Sequence, residues 1–214
     1  MPLFALDDST RFPPIEEALA DGLLAMGGDL SVERLLEAYK QGIFPWYDGD
    51  IPLWWCPNPR FVLFPDELRV SKSMKSLLRK NTFEFTMDKA FDQVIHNCKE
   101  TKRIGQDGTW IKNEVEAAYN KLNVLGYAHS AESWLNGELV GGLYGLRLGK
   151  VFFGESMFSR VSNASKFAFI KYIQQLKSEG VVLVDCQIYT EHLESLGAKM
   201  IMRQQFTQLL NHYI

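Results

Sequence analysis

A change in hydrophobic period near residue 127 constrains the fold of this chain more than any other feature. Upstream of it apolar residues recur at helical spacing, and downstream they alternate with a period of two. Asn136-Gly137 lies between two alternating stretches and is typical of a two-residue hairpin turn. The pattern predicts, in order, antiparallel strands over 127–135, 138–148 and 150–160, a helix over 163–180, a strand over 181–189 and a last helix over 203–213. This order predicts a mixed α+β domain.

The first 65 residues have a different texture, because turn signals interrupt them repeatedly. They contain one clear helix, which Ser31 can cap at its start and Gly42 ends. Its apolar residues fall on one face, which we expect to be buried: Val32, Leu35, Leu36 and Tyr39. Pro65 is the predicted boundary between a small N-terminal α/β domain, 1–65, and a larger domain, 66–214.

Composition and charge argue against several classes of function. A length of 214 residues, 46% of them hydrophobic, suffices for one large domain or for a medium domain with a small one attached. A net charge of −3 argues against a protein that coats DNA. No stretch approaches 18 consecutive apolar residues and no signal peptide is evident, so we expect no membrane association. The three cysteines are widely spaced without a CxxC pair, which favours a reducing cytoplasm and argues against a disulfide framework or a metal site.

The stretch 71–80, "SKSMKSLLRK", predicts a short amphipathic helix. At 100° per residue, Lys72, Lys75 and Arg79 fall within about 60° of one another, opposite the apolar side chains of the same helix. The helix is therefore predicted to bury one face and to present a basic one. An ordinary solvated face is the simpler interpretation of this pattern, and a nucleic-acid contact is the alternative.

Glu155, in "FFGESMFSRVSNASK", interrupts an apolar strand face. If the strand is regular, Glu155 shares that face with Phe153 and Met157. A carboxylate among apolar side chains is costly without a partner, and its pKa is shifted upward. The partner is either a group on a substrate or an internal arginine, such as Arg147 or Arg160.

The polar turn and helix after this strand resemble the site where acetyl-coenzyme-A acyltransferases hold their cofactor's pyrophosphate on helix-start N–H groups. Those enzymes carry an R/Q-x-x-G-x-G/A loop, whereas this chain has "RVSNAS", with Asn163 and Ser165 in place of the glycines. The order of elements therefore resembles the acyltransferase scaffold, adapted to another acyl donor.

Seven sequence blocks, in order from residue 22 to about 198, closely resemble the leucyl/phenylalanyl-tRNA–protein transferase family: "GLLAMGGDLS", "AYKQGIFPW", "LWWCPNPR", "GTWI", "ELVGGLYG", "FFGESMFSRVSNASK" and "DCQ" followed by "SLGA". The resemblance implies a small N-terminal domain followed by an acetyltransferase-like (GNAT-like) mixed-sheet domain. It implies transfer of Leu or Phe, and Met less well, from aminoacyl-tRNA to proteins with N-terminal Arg or Lys. The product is marked for degradation by the N-end rule pathway. No cofactor and no metal are implied.

By the same resemblance, Asp185 and Gln187 are the catalytic pair. They share one face of the predicted strand, with Cys186 pointing away. An α-amine has a pKa near 8, so its deprotonation at pH 7 costs only about 1 kcal/mol and needs no strong base. Whether the pair relays a proton or only orients the amine stays open, and a structural polar pair at a strand end is the alternative interpretation.

The remaining site residues follow from the resemblance together with the chemistry of the substrates that it implies. Trp46 and Trp110 match positions that stack on the terminal adenosine of the tRNA, with core packing as the alternative. Glu155 would grip the amine of the substrate. The other residues expected to bind substrate are Leu143, Phe153, Met157, Ser162 and Asn163, and those expected to contact tRNA phosphates are Lys72, Lys75, Arg79 and Lys80.

The sequence departs from the family pattern at Thr190, where an Asn is often found. Two other functions compete with aminoacyl transfer: a coenzyme-A acyltransferase, which the missing glycines disfavour, and a tRNA- or peptide-binding module without turnover. We expect a cytoplasmic monomer that binds aminoacyl-tRNA and protein N-termini, but neither DNA nor a membrane.

Overall fold

The computed structural model of the protein describes residues 3–101 and 110–214. Residues 102–109, which include the first half of the "GTWI" motif, lie outside the described part. The described residues form eleven strands: β1 (Phe4–Leu6), β2 (Leu23–Gly27), β3 (Phe44–Pro45), β4 (Leu53–Trp55), β5 (Arg60–Leu63), β6 (Glu84–Met87), β7 (Ala128–Leu135), β8 (Glu138–Leu148), β9 (Val151–Ser159), β10 (Leu183–Gln187) and β11 (Lys199–Ile201). Their seven α-helices are α1 (Val32–Lys40), α2 (Lys72–Arg79), α3 (Phe91–Glu100), α4 (Asn113–Val124), α5 (Ala164–Ser178), α6 (Glu191–Ser195) and α7 (Arg203–Tyr213).

The N-terminal part is a four-stranded sheet, in the order β1-β2-β4-β3, together with α1. The side chain of Ser31 caps α1 by accepting a hydrogen bond from the backbone N–H of Arg34, as predicted. Three residues of the predicted apolar face, Val32, Leu35 and Tyr39, are buried. The helix therefore presents Tyr39 towards the interior of the protein.

The larger sheet has seven strands in the order β11-β5-β10-β9-β8-β7-β6. Strands β9 and β10 are parallel, and the other pairs are antiparallel. Asn136 and Gly137 both have positive φ, 52° and 82°, which confirms the hairpin between β7 and β8. The predicted mixed α+β architecture is thus confirmed.

Helices cover both faces of this sheet, which gives the molecule two apolar cores. Helix α3 packs against β7, β8 and β9 from one face, and α5 packs against the same strands from the other. The core on the α3 face continues into α1, α4 and the N-terminal sheet. Within the described ranges, no helix combines the length and the apolar character needed to cross a bilayer.

The sequence pattern did not predict β5, β6, β11 or α6, because each has only three to five residues. Strand β5 is entirely buried, so it also lacks polar alternation. It pairs with both β10 and β11, although it lies before Pro65. This pairing favours a domain division a few residues earlier than Pro65, and the division itself stays a prediction.

Two β-bulges interrupt the strands that carry the predicted site. In β9, Ser156 pairs with Tyr144 and Gly154 pairs with Gly145, so Glu155 is an extra residue. In β10, Asp185 pairs with Val62 and Gln187 pairs with Phe61, so Cys186 is extra. Bulges re-aim the side chains on either side of them, and they are frequent next to active sites.

The predicted regular alternation through Glu155 is therefore wrong. Phe153 packs edge-on against Tyr39, with ring centroids 5.1 Å apart, in the core on the α3 face. Met157 packs with Leu143 in the core on the α5 face. The bulge moves Met157 to the face opposite Phe153.

Candidate active site

A cavity of about 370 Å³ lies where β9 and β10 separate. The two strands pair from Val151–Leu183 to Phe153–Asp185, and the cavity walls include the residues that follow in each strand. Its volume is typical of a site for a small ligand. A larger depression of about 510 Å³ lies between α2 and α5, with Glu84 and Lys171 as its ionisable side chains. We place the site in the smaller cavity, because it brings together several buried titratable groups.

Glu155 is the centre of a hydrogen-bond network in this cavity. Its Oε1 accepts from the hydroxyl of Tyr39 at 2.7 Å and from Nε2 of Gln187 at 3.0 Å. Its Oε2 accepts from the hydroxyl of Tyr119 at 3.1 Å. The two tyrosine hydroxyls also contact each other. Helices α1 and α4 bring the tyrosines in from one side, and β10 brings Gln187 from the other.

The pKa of Glu155 is raised from 4.5 to about 7, chiefly by burial and also by the negative charge of Asp185, while the hydrogen bonds from Tyr39, Tyr119 and Gln187 oppose the rise. Burial and the charge of Glu155 also raise the pKa of both tyrosines well above 10. The tyrosines therefore stay protonated at neutral pH, whereas Glu155 exchanges its proton there.

The network contains three oxygen–oxygen contacts, but its two tyrosines supply only two hydroxyl hydrogens. Tyr39, Tyr119 and Glu155 make three mutual oxygen contacts, and each tyrosine hydroxyl carries a single hydrogen. When Glu155 is ionised, one contact lacks a hydrogen. A proton on Glu155 supplies the third hydrogen, so the cluster can take up a proton without leaving any of its oxygens unsatisfied.

Gln187 has a backbone conformation unusual for glutamine. Its φ is +58°, in the left-handed region, and its N–H donates to Oδ1 of Asp185 at 3.0 Å. Because a carboxylate only accepts hydrogen bonds, the NH₂ end of the Gln187 amide is the end that faces Glu155. The amide oxygen is then available to accept a hydrogen bond from a ligand in the cavity.

Asp185 is fully buried and forms a two-bond ion pair with Arg60 of β5. Nε of Arg60 donates to Oδ1 at 2.8 Å, and Nη2 donates to Oδ2 at 2.7 Å. Burial disfavours the guanidinium charge, but Asp185 outweighs this and keeps the pKa of Arg60 raised. Asp185 is therefore held by protein groups at both of its oxygens.

A family model described as leucyl/phenylalanyl-tRNA protein transferase matches residues 62–211, and a model of that family's N-terminal domain matches residues 28–58. The chain belongs to this family. The leucyl/phenylalanyl-tRNA–protein transferase of Syntrophus aciditrophicus (strain SB) is 56% identical over 211 residues, which cover 98% of this chain and 88% of that one. The protein of the same name from Syntrophobacter fumaroxidans (strain DSM 10017 / MPOB) is 55% identical over 211 residues, with 98% and 90% covered. A solved GCN5-related N-acetyltransferase from Kribbella flavida is 11% identical and covers 77% of this chain and 58% of that one, with a TM-score of 0.40.

The resemblance expected from the sequence blocks is thus confirmed, and the chain is an enzyme of the aminoacyltransferase class. Six of the residues expected to act in catalysis or substrate binding do line the cavity. They are Trp46, Trp110, Leu143, Met157, Asp185 and Gln187, in addition to Glu155 itself. Their roles in binding and catalysis stay predictions.

Three expected substrate-binding residues lie elsewhere. Phe153 is fully buried against Tyr39 and does not line the cavity. Ser162 and Asn163 are exposed and are not part of the cavity wall. Ser165, just after them, has its N–H bonded to Oγ of Ser159. The structure therefore does not join the predicted helix-start anion site to this cavity.

The internal arginine partners considered for Glu155 are wrong. Arg147 forms an ion pair with Glu179, and Arg160 donates to Oδ1 of Asn97 at 2.6 Å. Glu155 receives hydroxyl and amide donors instead of a cation.

Helix α2 has the predicted amphipathic form. Its buried residue is Met74, and Ser71 caps it by accepting from the N–H of Met74. Lys72, Lys75, Arg79 and Lys80 are all exposed. A contact between this basic face and tRNA stays a prediction.

Sequence reasoning missed four residues at the site: Tyr39, Tyr119, Arg60 and His192. The helical pattern predicts Tyr39 only as part of a buried apolar face, although a tyrosine hydroxyl in a core needs a hydrogen-bond partner. His192 of α6 lines the cavity, and burial and Lys166 lower its pKa, so its ring is neutral at pH 7. A tyrosine on an otherwise apolar helix face is the sequence signal that points to the partners of Glu155.

Proposed function

We propose that the protein transfers Leu or Phe, and Met less well, from aminoacyl-tRNA to the α-amine of proteins whose first residue is Arg or Lys. The product is marked for degradation by the N-end rule pathway. The observation that carries the proposal is the network in which Glu155 accepts from Tyr39, Tyr119 and Gln187 at the wall of a largely apolar cavity.

The apolar part of the cavity is suited to the side chain of the transferred amino acid. Its volume of about 370 Å³ accommodates a Leu or Phe group together with part of the ester. The side chains that would contact this group are Leu143, Met157, Phe169, Val184 and Leu193. Trp46 and Trp110, also in the wall, would stack on the terminal adenine, at about 1–3 kcal/mol per base.

In the reaction, the acceptor nitrogen attacks the ester carbonyl carbon. The carbon–nitrogen bond forms, the bond from the carbonyl carbon to the 3′-oxygen breaks, and the 3′-oxygen leaves with a proton. Conversion of an ester into an amide is downhill, so no nucleotide triphosphate is required. The enzyme must supply orientation and a destination for the proton of the incoming ammonium.

The residues of the cavity divide these tasks. The NH₂ group of Gln187 donates to Glu155. In the proposed mechanism its amide oxygen therefore accepts a hydrogen bond from the α-amine of the acceptor and directs the nitrogen of that amine at the ester. The Glu155 cluster takes up the proton. A transfer from an amine of pKa near 8 to a carboxylate of pKa about 7 is uphill by only about 1.4 kcal/mol. Gln187 therefore orients the amine, and Glu155 accepts its proton.

The basic surface of α2 is the expected contact for the tRNA. The exposed basic side chains of α2 would contact tRNA phosphates, so binding should weaken with salt and should not depend on sequence. We expect a cytoplasmic monomer without DNA or membrane partners. We expect no cofactor.

The deciding experiment mixes the protein with radiolabelled Phe-tRNA and a peptide that begins with Arg, without coenzyme A. Transfer of Phe to the peptide supports the proposal, and an N-acetylated copy of the peptide, which lacks the α-amine, is the matched control. Transfer only after addition of an acyl-coenzyme A would indicate the other acyltransferase function. Binding of both substrates without product would indicate a binding module, and either result overturns the proposal.

A variant tests the role of Asp185 directly. Asp185→Ala should lower the turnover rate at least about tenfold, because Gln187 loses the acceptor that holds its backbone. Full activity in a folded Asp185→Ala protein would remove this residue from the mechanism.

A further inference from the structure

Arg60 occupies an unusual position for a charged side chain. It is fully buried, and its guanidinium carbon lies 4.7 Å from the ring centroid of Phe44 and 4.8 Å from that of Phe206. Phe44 belongs to β3 of the small sheet and Phe206 to α7, whereas the two-bond partner of Arg60, Asp185, belongs to β10. One side chain thus joins the active-site strand to two other parts of the molecule.

We propose that Arg60 is a positioning residue for aminoacyl transfer, which acts on Gln187 through Asp185. Arg60 fixes the carboxylate of Asp185 in one orientation, and that carboxylate accepts the backbone N–H of Gln187. This last bond closes the left-handed turn at Gln187. The inference rests on the proposed function only for its kinetic consequences.

The geometry explains why the left-handed turn is maintained. A non-glycine residue with φ near +58° is strained and persists only where its surroundings hold it. The bulge at Cys186 also removes Gln187 from regular strand geometry. Without a fixed acceptor for its N–H, Gln187 would relax, and its amide would no longer reach Glu155.

Asp185 then has a different role from a proton acceptor. Oδ1 accepts from both Arg60 and Gln187, and Oδ2 accepts from Arg60, so three of its roughly four acceptor positions are filled by the protein. Asp185 therefore transmits the position of Arg60 to Gln187, and the proton goes to Glu155.

Lysine cannot replace arginine in this role. A guanidinium is a planar fork that fits both oxygens of a carboxylate and stacks between two rings, whereas an ammonium is a point charge. Arg60→Lys keeps the charge that Asp185 needs but loses the fixed orientation. It is therefore the sharpest test, because complete removal of the cation would leave Asp185 buried and unpaired.

The test compares Arg60→Lys with Arg34→Lys. Arg34 is also buried and paired with an acid, Asp29, but it lies outside the cavity. We expect Arg60→Lys to lower kcat on the order of 100-fold with little change in KM for Phe-tRNA, since displacement of a reacting group by about 1 Å has an effect of that size. Arg34→Lys should keep the kcat of the folded protein unchanged.

Two further readouts separate positioning from a general loss of structure. The backbone amide resonance of Gln187, in ¹⁵N-glutamine-labelled protein, should shift in Arg60→Lys and stay in place in Arg34→Lys. In Asp185→Asn, addition of Arg60→Lys should cause no further loss of kcat, because Arg60 acts only through Asp185. If Arg60→Lys alone does not fold, comparison of the double variant with Asp185→Asn still shows whether Arg60 acts through Asp185.

Unchanged kcat in folded Arg60→Lys, an unmoved Gln187 resonance, or additive losses in the double variant would each overturn the inference. Absence of Phe transfer by the unmodified protein would overturn the proposed function instead. The resonance of Gln187 still tests the role of Arg60 in that case.

Discussion

Replacement of Glu155 by glutamine should make the protein more stable at neutral and alkaline pH. Glutamine has the same shape and keeps an oxygen that accepts from a tyrosine hydroxyl, but it carries no charge. The ionised carboxylate is the form that burial disfavours, so the folded protein retains a proton on Glu155 at pH values where the unfolded chain has released it.

The size and sign of the effect follow from the two pKa values. Below pH 4.5 the carboxyl is neutral in both states, and above pH 7 it is ionised in both. Between these values the folded state binds more protons, so the free energy of unfolding falls as the pH rises. The pKa of Glu155 rises from 4.5 in the unfolded chain to about 7 in the folded protein. At 1.36 kcal/mol per pH unit, this difference lowers the free energy of unfolding by up to about 3 kcal/mol. Glu155→Gln does not suffer this loss.

Urea unfolding of both proteins at pH 5 and pH 8 measures the effect. The stability advantage of Glu155→Gln should widen by about 2 to 3 kcal/mol between the two pH values. Glu33→Gln, which removes an exposed acid from α1, controls for the loss of one negative charge. An advantage of equal size at pH 5 and pH 8 would refute the reasoning, because Glu155 would then not be the group that titrates. The same variant should transfer Phe poorly.

Three other outcomes are expected. Tyr119→Phe removes a donor that lowers the pKa of Glu155, so the acid limb of the rate–pH profile should move to higher pH; a limb in its original place would exclude Glu155 as the proton acceptor. Trp46→Ala should weaken binding of a phenylalanyl-adenosine analogue by about 1–3 kcal/mol in calorimetry, and unaltered affinity would assign this side chain to packing against Trp55. Lys75→Glu with Arg79→Glu should weaken binding of Phe-tRNA but not of the analogue, and equal weakening of both would mean that α2 is structural.

The sequence is sufficient to predict the long elements and part of the candidate site. The period of two over 127–160 and the Asn136-Gly137 turn led to the three central strands, since each carries a local signal. The sequence also points to Glu155, as an acid on an apolar strand, and to Gln187, by the family resemblance. Their meeting at 3.0 Å was not predicted, because it depends on the separation of two parallel strands.

The bulges explain why the face assignments failed. A period of two assigns faces only while the strand is regular, and one extra residue reverses the assignment for everything beyond it. Phe153 precedes the extra residue in β9 and kept its core position, whereas Met157 follows it and moved to the opposite face. Arg60 escaped notice for another reason, because its partner, Asp185, lies 125 residues later in the chain.

The two bulges and the buried charged groups lie together, at the point where β9 and β10 separate. Parallel strands β9 and β10 keep their pairing as far as Phe153 and Asp185, and beyond that point a side-chain bond between Gln187 and Glu155 bridges them. Loss of regular pairing there opens room for a ligand, and it also leaves the two side chains without backbone support. Gln187 is supported by Arg60 through the ion pair with Asp185. Glu155 is supported by hydrogen bonds from the tyrosine hydroxyls of α1 and α4. The hydroxyl side holds the carboxyl group whose pKa is raised to about 7, so in the proposed mechanism the proton of the incoming amine goes to Glu155.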